Sequence, residues 1–192
     1  ILTLFLAGHE TSATSLTWML ILLSQNPEAM ARAKQEATEV LGENKMRLED
    51  LGKLSFIRRV IDEGLRLYPP AWIVGRKALT EDVVYGFTVP KGHNIIVSTY
   101  LIHRHPDFWE NPDKFDPDRF LPERANPEQH KYAYFPFGGG PRMCIGNSFA
   151  LMEMTILLAL ILQRFDPRAG KETWEMKPMV TLRIKGEVPF FV

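Results

Sequence analysis

Apolar residues dominate the first part of the chain, and their distribution predicts a long helix. Across residues 1–27 the only Asp, Glu, Lys or Arg is Glu10, and the run 11–27 has no such residue at all. A membrane-spanning helix needs about 20 consecutive apolar residues, whereas His9, Glu10 and several Ser and Thr side chains interrupt this run. No positively charged segment precedes it, as a signal peptide requires. The pattern therefore favours a helix that is buried on most sides.

Two further helices are predicted before residue 70. The triplet Asn26-Pro27-Glu28 is typical of a helix N-terminus, and apolar residues in 29–41 recur at helical spacing. Ser55 is expected to cap a third helix with an apolar stripe, and Pro69-Pro70 ends it because proline cannot continue a helix.

After residue 70 the pattern changes to short strands, then coil, then a final helix. Three short segments bounded by Gly or Pro predict strands: 71–78, 83–89 and 94–99. Six prolines within 103–136 predict a coiled, packed meander. The apolar run 144–165 predicts a buried helix, and 181–184 with 188–192 predict a terminal hairpin. The fold class expected is mainly α with small β-sheets.

Composition and charge narrow the classes of function. Lys and Arg number 23 against 23 Asp and Glu, so no net charge draws the chain to nucleic acid or an anionic membrane, and no nucleic-acid partner is expected. A single cysteine excludes an internal disulfide framework and any all-thiolate zinc or iron–sulfur site. Because the sequence starts at Ile1, inside an apolar run and without Met, we expect 1–192 to be part of one longer domain, truncated at the N-terminus.

The most informative stretch runs from Phe137 to Gly146 and reads FGGGPRMCIG. A lone cysteine is by itself most often an inert buried thiol. Here three consecutive glycines let the backbone pass close to a flat or bulky group, the predicted helix start favours a thiolate at Cys144, and Arg142 suits a carboxylate. Phosphate-loop, cysteine-protease and Cys-x-x-Cys-His patterns are absent from the sequence. A thiolate ligand to haem explains every feature together.

The spacing Phe137-x-x-Gly140-x-Arg142-x-Cys144-x-Gly146 resembles the cysteine-loop motif of the cytochrome P-450 superfamily, the haem-thiolate monooxygenases. This resemblance implies that Cys144 is the axial ligand to the iron of haem b. It also implies that Arg142 contacts a haem propionate and that Phe137 packs near the sulfur. The family's motifs occur in order along the whole chain, so the resemblance implies the C-terminal part of the cytochrome P-450 fold.

Glu63 and Arg66 are spaced i, i+3 on the third predicted helix. Such a pair in isolation is most often solvated and stabilises a protein by only a few tenths of a kcal/mol. In the superfamily, however, a Glu-x-x-Arg in this helix joins the arginine of a later Pro-x-Arg-Phe element. Residues 117–120 supply that element here. The resemblance therefore implies a buried structural triad of Glu63, Arg66 and Arg119.

The segment 7–12, Ala-Gly-His-Glu-Thr-Ser, resembles the oxygen-activation element of the superfamily. A purely local interpretation is also available, since Gly loosens a helix and the Thr11 hydroxyl can bond back to the carbonyl of Ala7. The resemblance implies that Thr11 and Glu10 deliver the protons that dioxygen activation needs, and that Ala7 lies against the haem.

Other positions match the superfamily less specifically. Arg76 matches a strand arginine that binds the second propionate, with an exposed strand charge as the equal alternative, and His103 is expected near the same edge. The resemblance implies substrate contacts at apolar positions that, from the sequence alone, are more often plain core: Leu4, Ala71, Ile73, Met179 and Val180.

The resemblance implies an enzyme that inserts one atom of dioxygen into a lipophilic organic substrate, a hydroxylation. Electrons would come from NAD(P)H through a flavin reductase or a ferredoxin-type partner, with Arg58, Arg59 and Lys131 as candidate contacts or merely solvated charges. Two alternatives stay open: a non-catalytic haem-binding protein and an inactive fragment. The location expected is cytoplasmic in a bacterium, or membrane-anchored through a segment before Ile1.

Overall fold

The computed structural model describes residues 2–42, 46–171 and 173–192. The α-helices of this part are α1 (Leu2–Gln25), α2 (Pro27–Leu41), α3 (Ser55–Leu67), α4 (Thr99–Ile102) and α5 (Asn147–Arg164), and short 3₁₀ helices span Leu48–Lys53, Pro117–Phe120, Pro122–Arg124 and Gly140–Arg142. The strands are β1 (Val74–Lys77), β2 (Asp82–Val84), β3 (Phe87–Val89), β4 (Asn94–Val97), β5 (Arg168–Ala169), β6 (Met176–Pro178), β7 (Leu182–Ile184) and β8 (Phe190–Phe191). Antiparallel pairs β1–β4, β2–β3, β5–β8 and β6–β7 form the sheets. The predicted class, mainly α with small sheets, is confirmed.

The core lies where α1, α2, α3 and α5 pack together. Met19 from α1, Ile61 from α3 and Leu158 from α5 are fully buried in one apolar cluster. A Cβ atom added to Gly64 would lie 2.7 Å from the Cγ of Met19, so this glycine allows α1 and α3 to approach closely. The predicted α3 stripe is therefore the face on which the other long helices pack.

Only the second half of α1 is buried, which corrects the prediction of a helix covered on most sides. Residues 3–9 are exposed, with Leu4 at 72% of its surface, and the buried positions begin at Ser12. The elements of this chain cover the helix only from about Glu10 onward. The apolar character of the first half thus did not predict its environment within this chain.

The N-terminus of α3 is capped by a side chain from another helix, and the expected cap by Ser55 is wrong. Glu36 of α2 accepts hydrogen bonds from the backbone N–H groups of Phe56 and Ile57, both at 2.7 Å. Ser55 lies inside α3 and donates its hydroxyl proton to the same carboxylate at 3.3 Å. The side chain of Asn26 makes no cap and donates instead to the carbonyl of Leu22.

Replacing Glu36 by Ala is expected to lower the free energy of unfolding by about 1–2 kcal/mol, as for loss of a strong N-cap. Two backbone N–H groups at the start of α3 would lose their acceptor. Urea unfolding measures the change. Glu39→Ala is the matched control, because Glu39 is exposed on the same helix and accepts a hydrogen bond from the Gln35 side chain, so its loss should change stability by less than about 0.5 kcal/mol. Equal effects of the two substitutions would show that Glu36 does not act as the cap.

Two strand predictions need correction. The segment 83–89 belongs to a hairpin, β2–β3, that reverses at Tyr85-Gly86, where both residues have positive φ (51° and 81°). The segments 181–184 and 188–192 do not pair with each other. β7 pairs with β6 and β8 returns to β5. Two-residue strands such as β5 carry too little pattern to be recognised in a sequence.

The meander 103–136 is coiled, as its proline content predicted, and it packs against α3. It contains short 3₁₀ turns that begin at Pro117 and Pro122, and it buries Trp109 and Phe115. The helix after it starts at Asn147, three residues later than predicted. By length and composition alone, α5 is the one helix of the described ranges that could cross a membrane. Its Leu158 and Leu162 are fully buried in the core just described, but Phe149 and Leu157 are exposed, so only one side of α5 is buried and the prediction of a buried helix needs correction.

Candidate functional site

A cavity of about 550 Å³ opens between α1, the segment that follows α3, and the loop that carries the cysteine. Most of the side chains around it are apolar. The walls include these predicted site residues: Leu4, Ala7, Thr11, Ala71, Arg76, Phe137, Arg142, Cys144 and Gly146. Residues far apart in the sequence, from three separate segments, therefore meet at one cavity.

Other predicted site residues are not among the lining residues of this cavity: Glu10, Ile73, Gly140, Met179 and Val180. The turn between β6 and β7 lies beside the segment after α3, where the Trp72 ring N–H donates to the carbonyl of Met179 at 2.9 Å. Val180 at the tip of this turn is 94% exposed. The structure thus groups Leu4 and Ala71 at the cavity and leaves the other expected substrate contacts outside its walls.

The loop from Phe137 to Gly146 is held by its own backbone. The N–H of Cys144 donates to the carbonyl of Phe137 at 3.0 Å, and the N–H of Met143 donates to that of Gly140 at 3.0 Å. Gly146 is the N-cap of α5, so Cys144 precedes the helix by three residues and does not lie in its first turn. Since the dipole effect falls off within a turn, the expected helix stabilisation of the thiolate is reduced.

The three consecutive glycines serve two different purposes. Gly138 and Gly140 have φ of 73° and 71°, a left-handed conformation that other residues adopt only with strain. Gly139 has an ordinary conformation, but a Cβ there would lie 2.5 Å from the Tyr132 ring. A Cβ on Gly138, which lines the cavity, would meet no atom within 4 Å. Gly138 therefore leaves room for a group in the cavity, while Gly139 leaves room for the half-exposed ring of Tyr132.

Glu63, Arg66 and Arg119 meet in one buried cluster. Glu63 and Arg66 have no exposed side-chain surface, and the Arg66 guanidinium donates to both carboxylate oxygens at 2.6 and 2.8 Å. Arg119 adds a bond from Nε at 3.1 Å, and the backbone N–H of Asp116 adds another at 2.9 Å. Charge-assisted bonds to both oxygens offset the large cost of removing these charges from water.

The same cluster ties α3 to the meander. Arg66 donates to the carbonyls of His103 and Pro112, each at 2.7 Å. Arg119 donates to the carbonyls of Glu110 and Asn111. Because the meander leads directly into the cysteine loop, these bonds fix the path by which the loop reaches the cavity.

The α1 segment places Thr11 and Glu10 in different surroundings. The Thr11 hydroxyl donates to the carbonyl of Ala7 at 2.7 Å, and Thr11 lines the cavity. Glu10 is turned toward β7, where its Oε1 accepts from Arg183 (2.6 Å) and from the Thr181 hydroxyl. The Arg183 guanidinium, with the Thr181 hydroxyl, holds the pKa of Glu10 below its ordinary value. Sequence analysis missed Thr181 and Arg183, since no local pattern links residues about 170 positions apart.

The three cations expected to contact a redox partner differ in how exposed they are. Arg58 pairs with Asp62 at 3.0 Å and Arg59 with Asp118 at 3.4 Å, with Arg59 the less exposed of the two arginines. Lys131 is exposed, and its Nζ atom lies 5.1 Å from the ring centroid of its neighbour Tyr132. Of the three cations expected to meet a partner, Arg58 and Lys131 are thus the more accessible.

His103 was expected at the edge of the cavity, but it is fully buried and does not line that space. Its ring lies between Arg66 and Phe135. The residue belongs to the contact between α3 and the approach to the cysteine loop.

A family model described as Cytochrome P450 matches residues 1–188. The chain belongs to the cytochrome P450 family. Among relatives, it is 39% identical to cytochrome P450 97B2, chloroplastic, of Glycine max, covering 94% of this chain and 36% of that protein. It is 42% identical to cyclooctatin synthase of Streptomyces melanosporofaciens, covering 96% and 38%. The crystal structure of the cytochrome P450DA heme domain superposes with a TM-score of 0.90 at 34% identity, covering 97% of this chain and 42% of that one.

The chain thus spans about two fifths of the length of these P450 relatives. Cytochromes P450 bind haem through a cysteine thiolate, and Cys144 is the sole cysteine of the sequence. Several features of the cavity fit such a group: mostly apolar walls, Cys144 and the guanidinium-bearing Arg76 and Arg142 among the lining residues, and free space beside Gly138. Arg76 also donates to the carbonyl of Gly139 at 3.4 Å, which links β1 to the loop.

Proposed function

We propose that 1–192 is the haem-binding C-terminal portion of a single cytochrome P450 domain, and that the protein is a haem-thiolate monooxygenase. The observation that carries this proposal is that Cys144 and Thr11 line one mainly apolar cavity. A ligand for iron and a hydroxyl able to pass on a proton are both available to a flat cofactor bound there. A haem carrier would need the first of these residues but not the second.

Haem b bound through a thiolate would supply electron density that promotes cleavage of the O–O bond of dioxygen. The residues of the chain would hold the cofactor and prepare its surroundings. The Cys144 N–H bond to the carbonyl of Phe137 holds the loop that carries the sulfur, and the cavity-lining Arg142 and Arg76 would bind the two propionates. The apolar walls restrict water, which suits a lipophilic substrate.

Proton delivery is assigned to the α1 segment. While the Thr11 hydroxyl donates to the carbonyl of Ala7, its oxygen keeps lone pairs that can accept a proton-bearing bond from water in the cavity. Glu10 is held as a carboxylate by Arg183 and Thr181. Passage of a proton from Glu10 to Thr11 would therefore require the carboxylate to leave β7 and turn toward the cavity.

Thr11→Ala is expected to uncouple electron use from product formation, so that product per NAD(P)H falls about tenfold or more while peroxide rises. Thr17→Ala is the matched control. The Thr17 hydroxyl makes the same kind of bond, to the carbonyl of Ala13 at 2.8 Å, but Thr17 does not line the cavity. Product and peroxide are measured against NAD(P)H consumed. An unchanged product yield in Thr11→Ala would contradict the role in proton delivery.

Finer features of the proposal concern substrate and partners. We assign hydroxylation of a lipophilic substrate, with Leu4 and Ala71 as contacts, because the cavity is mainly apolar. Electrons would come from NAD(P)H through a flavin reductase or a ferredoxin-type partner that docks at Arg58 and Lys131. Its location would be cytoplasmic in a bacterium or membrane-anchored. One relative is named chloroplastic and another comes from Streptomyces.

The experiment that tests the proposal is oxygen consumption by the haem-loaded protein with NAD(P)H, a reductase and a panel of lipophilic compounds. Labelled dioxygen should give products that carry one labelled oxygen atom. Haem binding without any oxygenated product across the panel would favour a non-catalytic haem-binding protein.

A further inference from the structure

His103 is a buried imidazole whose two ring nitrogens face groups of opposite character. Nε2 lies 2.9 Å from the backbone nitrogen of Phe135, which can only donate, so Nε2 accepts. Nδ1 lies 3.3 Å from the carbonyl oxygen of Arg66, which can only accept, so Nδ1 carries the proton. One neutral tautomer satisfies both partners, and a protonated ring would lose the bond to Phe135.

These bonds connect the charged triad to the cysteine. Arg66 donates to the carbonyl of His103 while His103 donates to the carbonyl of Arg66, so the two residues exchange bonds. Beyond His103, the carbonyl of Phe135 accepts from the N–H of Gly138 at 2.9 Å. The N–H of Cys144 in turn donates to the carbonyl of Phe137. A short path of hydrogen bonds and backbone thus runs from α3 to the cysteine loop through this imidazole.

The cations around His103 oppose its protonation. Arg66 of α3 and Arg104 of the same segment both lie close enough to repel a positive charge. Burial, the largest effect, lowers the pKa of His103 to about 3, and it outweighs the bonds to the backbone carbonyls of Arg66 and Leu65, which act in the opposite direction. Phe135 and Tyr134 cover the ring, with centroids 5.4 and 5.2 Å away.

The carboxylates nearby are already engaged. Glu63 bonds both guanidiniums of the triad. Asp62 accepts from the hydroxyl of Tyr134 and pairs with Arg58 at 3.0 Å. Neither acid makes a bond to the imidazole, so a protonated His103 would gain no ion pair that compensates for the lost acceptor.

We propose that neutral His103 is a positioning residue for the haem ligand: it holds the cysteine loop against α3, and its protonation releases the loop and the thiolate. This inference rests on the proposed haem site at Cys144.

The direction in which docking of the cysteine loop depends on pH follows from the lowered pKa of His103. Above about pH 6.5 the His103 ring is neutral whether the cysteine loop is docked or released, so protonation of His103 does not affect docking there. As the pH falls from about 6.5 toward 3, the released state binds a proton that the docked state does not, so docking weakens.

The test uses the haem-loaded protein and two substitutions at His103. His103→Gln offers an amide oxygen to the Phe135 N–H and cannot be protonated, whereas His103→Leu fills similar space and offers no acceptor. For each protein, the fraction of thiolate-ligated haem is read from the reduced, CO-treated absorption spectrum as the pH is lowered. His130→Gln is the matched control. Exposed His130 in the same meander accepts from the N–H of Tyr132 at 3.2 Å, and its replacement should leave the profile unchanged.

The wild type should lose the thiolate form progressively below about pH 6.5. The Gln variant should keep the thiolate form at neutral pH and should lose it at a pH at least about one unit below that of the wild type. The Leu variant should show less of the thiolate form than the wild type at every pH. Coincident profiles for wild type and the Gln variant, or a wild-type fraction in the Leu variant at neutral pH, would overturn the proposal.

The tautomer provides a separate readout that does not depend on haem. Nitrogen NMR of the His103 ring should show the proton on Nδ1 down to acid pH. A proton on Nε2 would overturn the positioning role even where the haem site itself is correct. A wild-type protein with the expected tautomer but without the thiolate spectrum would overturn the proposed haem site and, with it, this inference.

Discussion

Glu63→Ala is expected to lower the free energy of unfolding by about 3–5 kcal/mol and to prevent stable haem binding. The substitution leaves the guanidinium of Arg66, which has no exposed surface, and that of Arg119, which is 7% exposed, without their carboxylate. The backbone N–H of Asp116 loses its acceptor as well. Denaturant unfolding and the haem content of the purified protein measure the two effects.

Two comparison variants separate charge from geometry. Glu63→Gln keeps one oxygen acceptor but removes the charge, so it should fall between the wild type and the Ala variant. Glu175→Ala removes a carboxylate that pairs with Lys185, both largely exposed, and should change stability by less than about 1 kcal/mol. Normal haem content and stability in Glu63→Ala would show that the triad does not support the site.

Cys144→Ser is expected to abolish the thiolate spectrum and the oxygenase activity while leaving the fold intact. The Cys144 side chain is exposed at the cavity and contributes little to the core, so the free energy of unfolding should change by less than about 0.5 kcal/mol. A serine hydroxyl remains protonated and cannot supply the same electron donation to iron. Absorption spectra of the haem-loaded variant and unfolding curves measure the two properties.

Met143→Ala is the control for that substitution. Met143 is adjacent to the cysteine and 51% exposed, but it does not line the cavity. Its replacement should leave both the spectrum and the stability close to those of the wild type. Persistence of the thiolate spectrum in Cys144→Ser would mean that another group binds the iron.

Helix periodicity predicted the main elements because burial of one face repeats every turn. The α3 stripe, with Ile57 and Ile61 fully buried, is the clearest example, and Pro69-Pro70 ends that helix as expected. The same reasoning overestimated the burial of α1, since an apolar sequence does not specify which elements cover it. It also merged β2 and β3 into one strand, because the reversal at Tyr85-Gly86 involves only two residues.

Residues of the candidate site could be predicted from the sequence where they lie close together in one short motif. One loop contains Phe137, Arg142 and Cys144, so a short sequence motif can define the spacing between them. Glu63 with Arg66 forms a pair that spacing alone assigns to the surface, and only the resemblance to a family indicated a buried role.

Contacts between distant segments could not be predicted. Glu36 lies 20 positions before the N–H that it caps, and Arg183 lies 173 positions after Glu10. A Cβ atom at position 139 would meet the Tyr132 ring, a contact that no sequence pattern reports. Each of these depends on how the helices and the meander pack, so the structure was needed to find it.

The central claim is that Cys144 is the axial ligand of a haem bound in the apolar cavity. The measurement that tests it most directly is the absorption spectrum of the reduced, CO-treated, haem-loaded protein, recorded beside Cys144→Ser. We predict a Soret band at the long wavelength typical of thiolate-ligated haem in the wild type and its loss in the variant. A band at the position found in globins in the wild-type protein would contradict the claim.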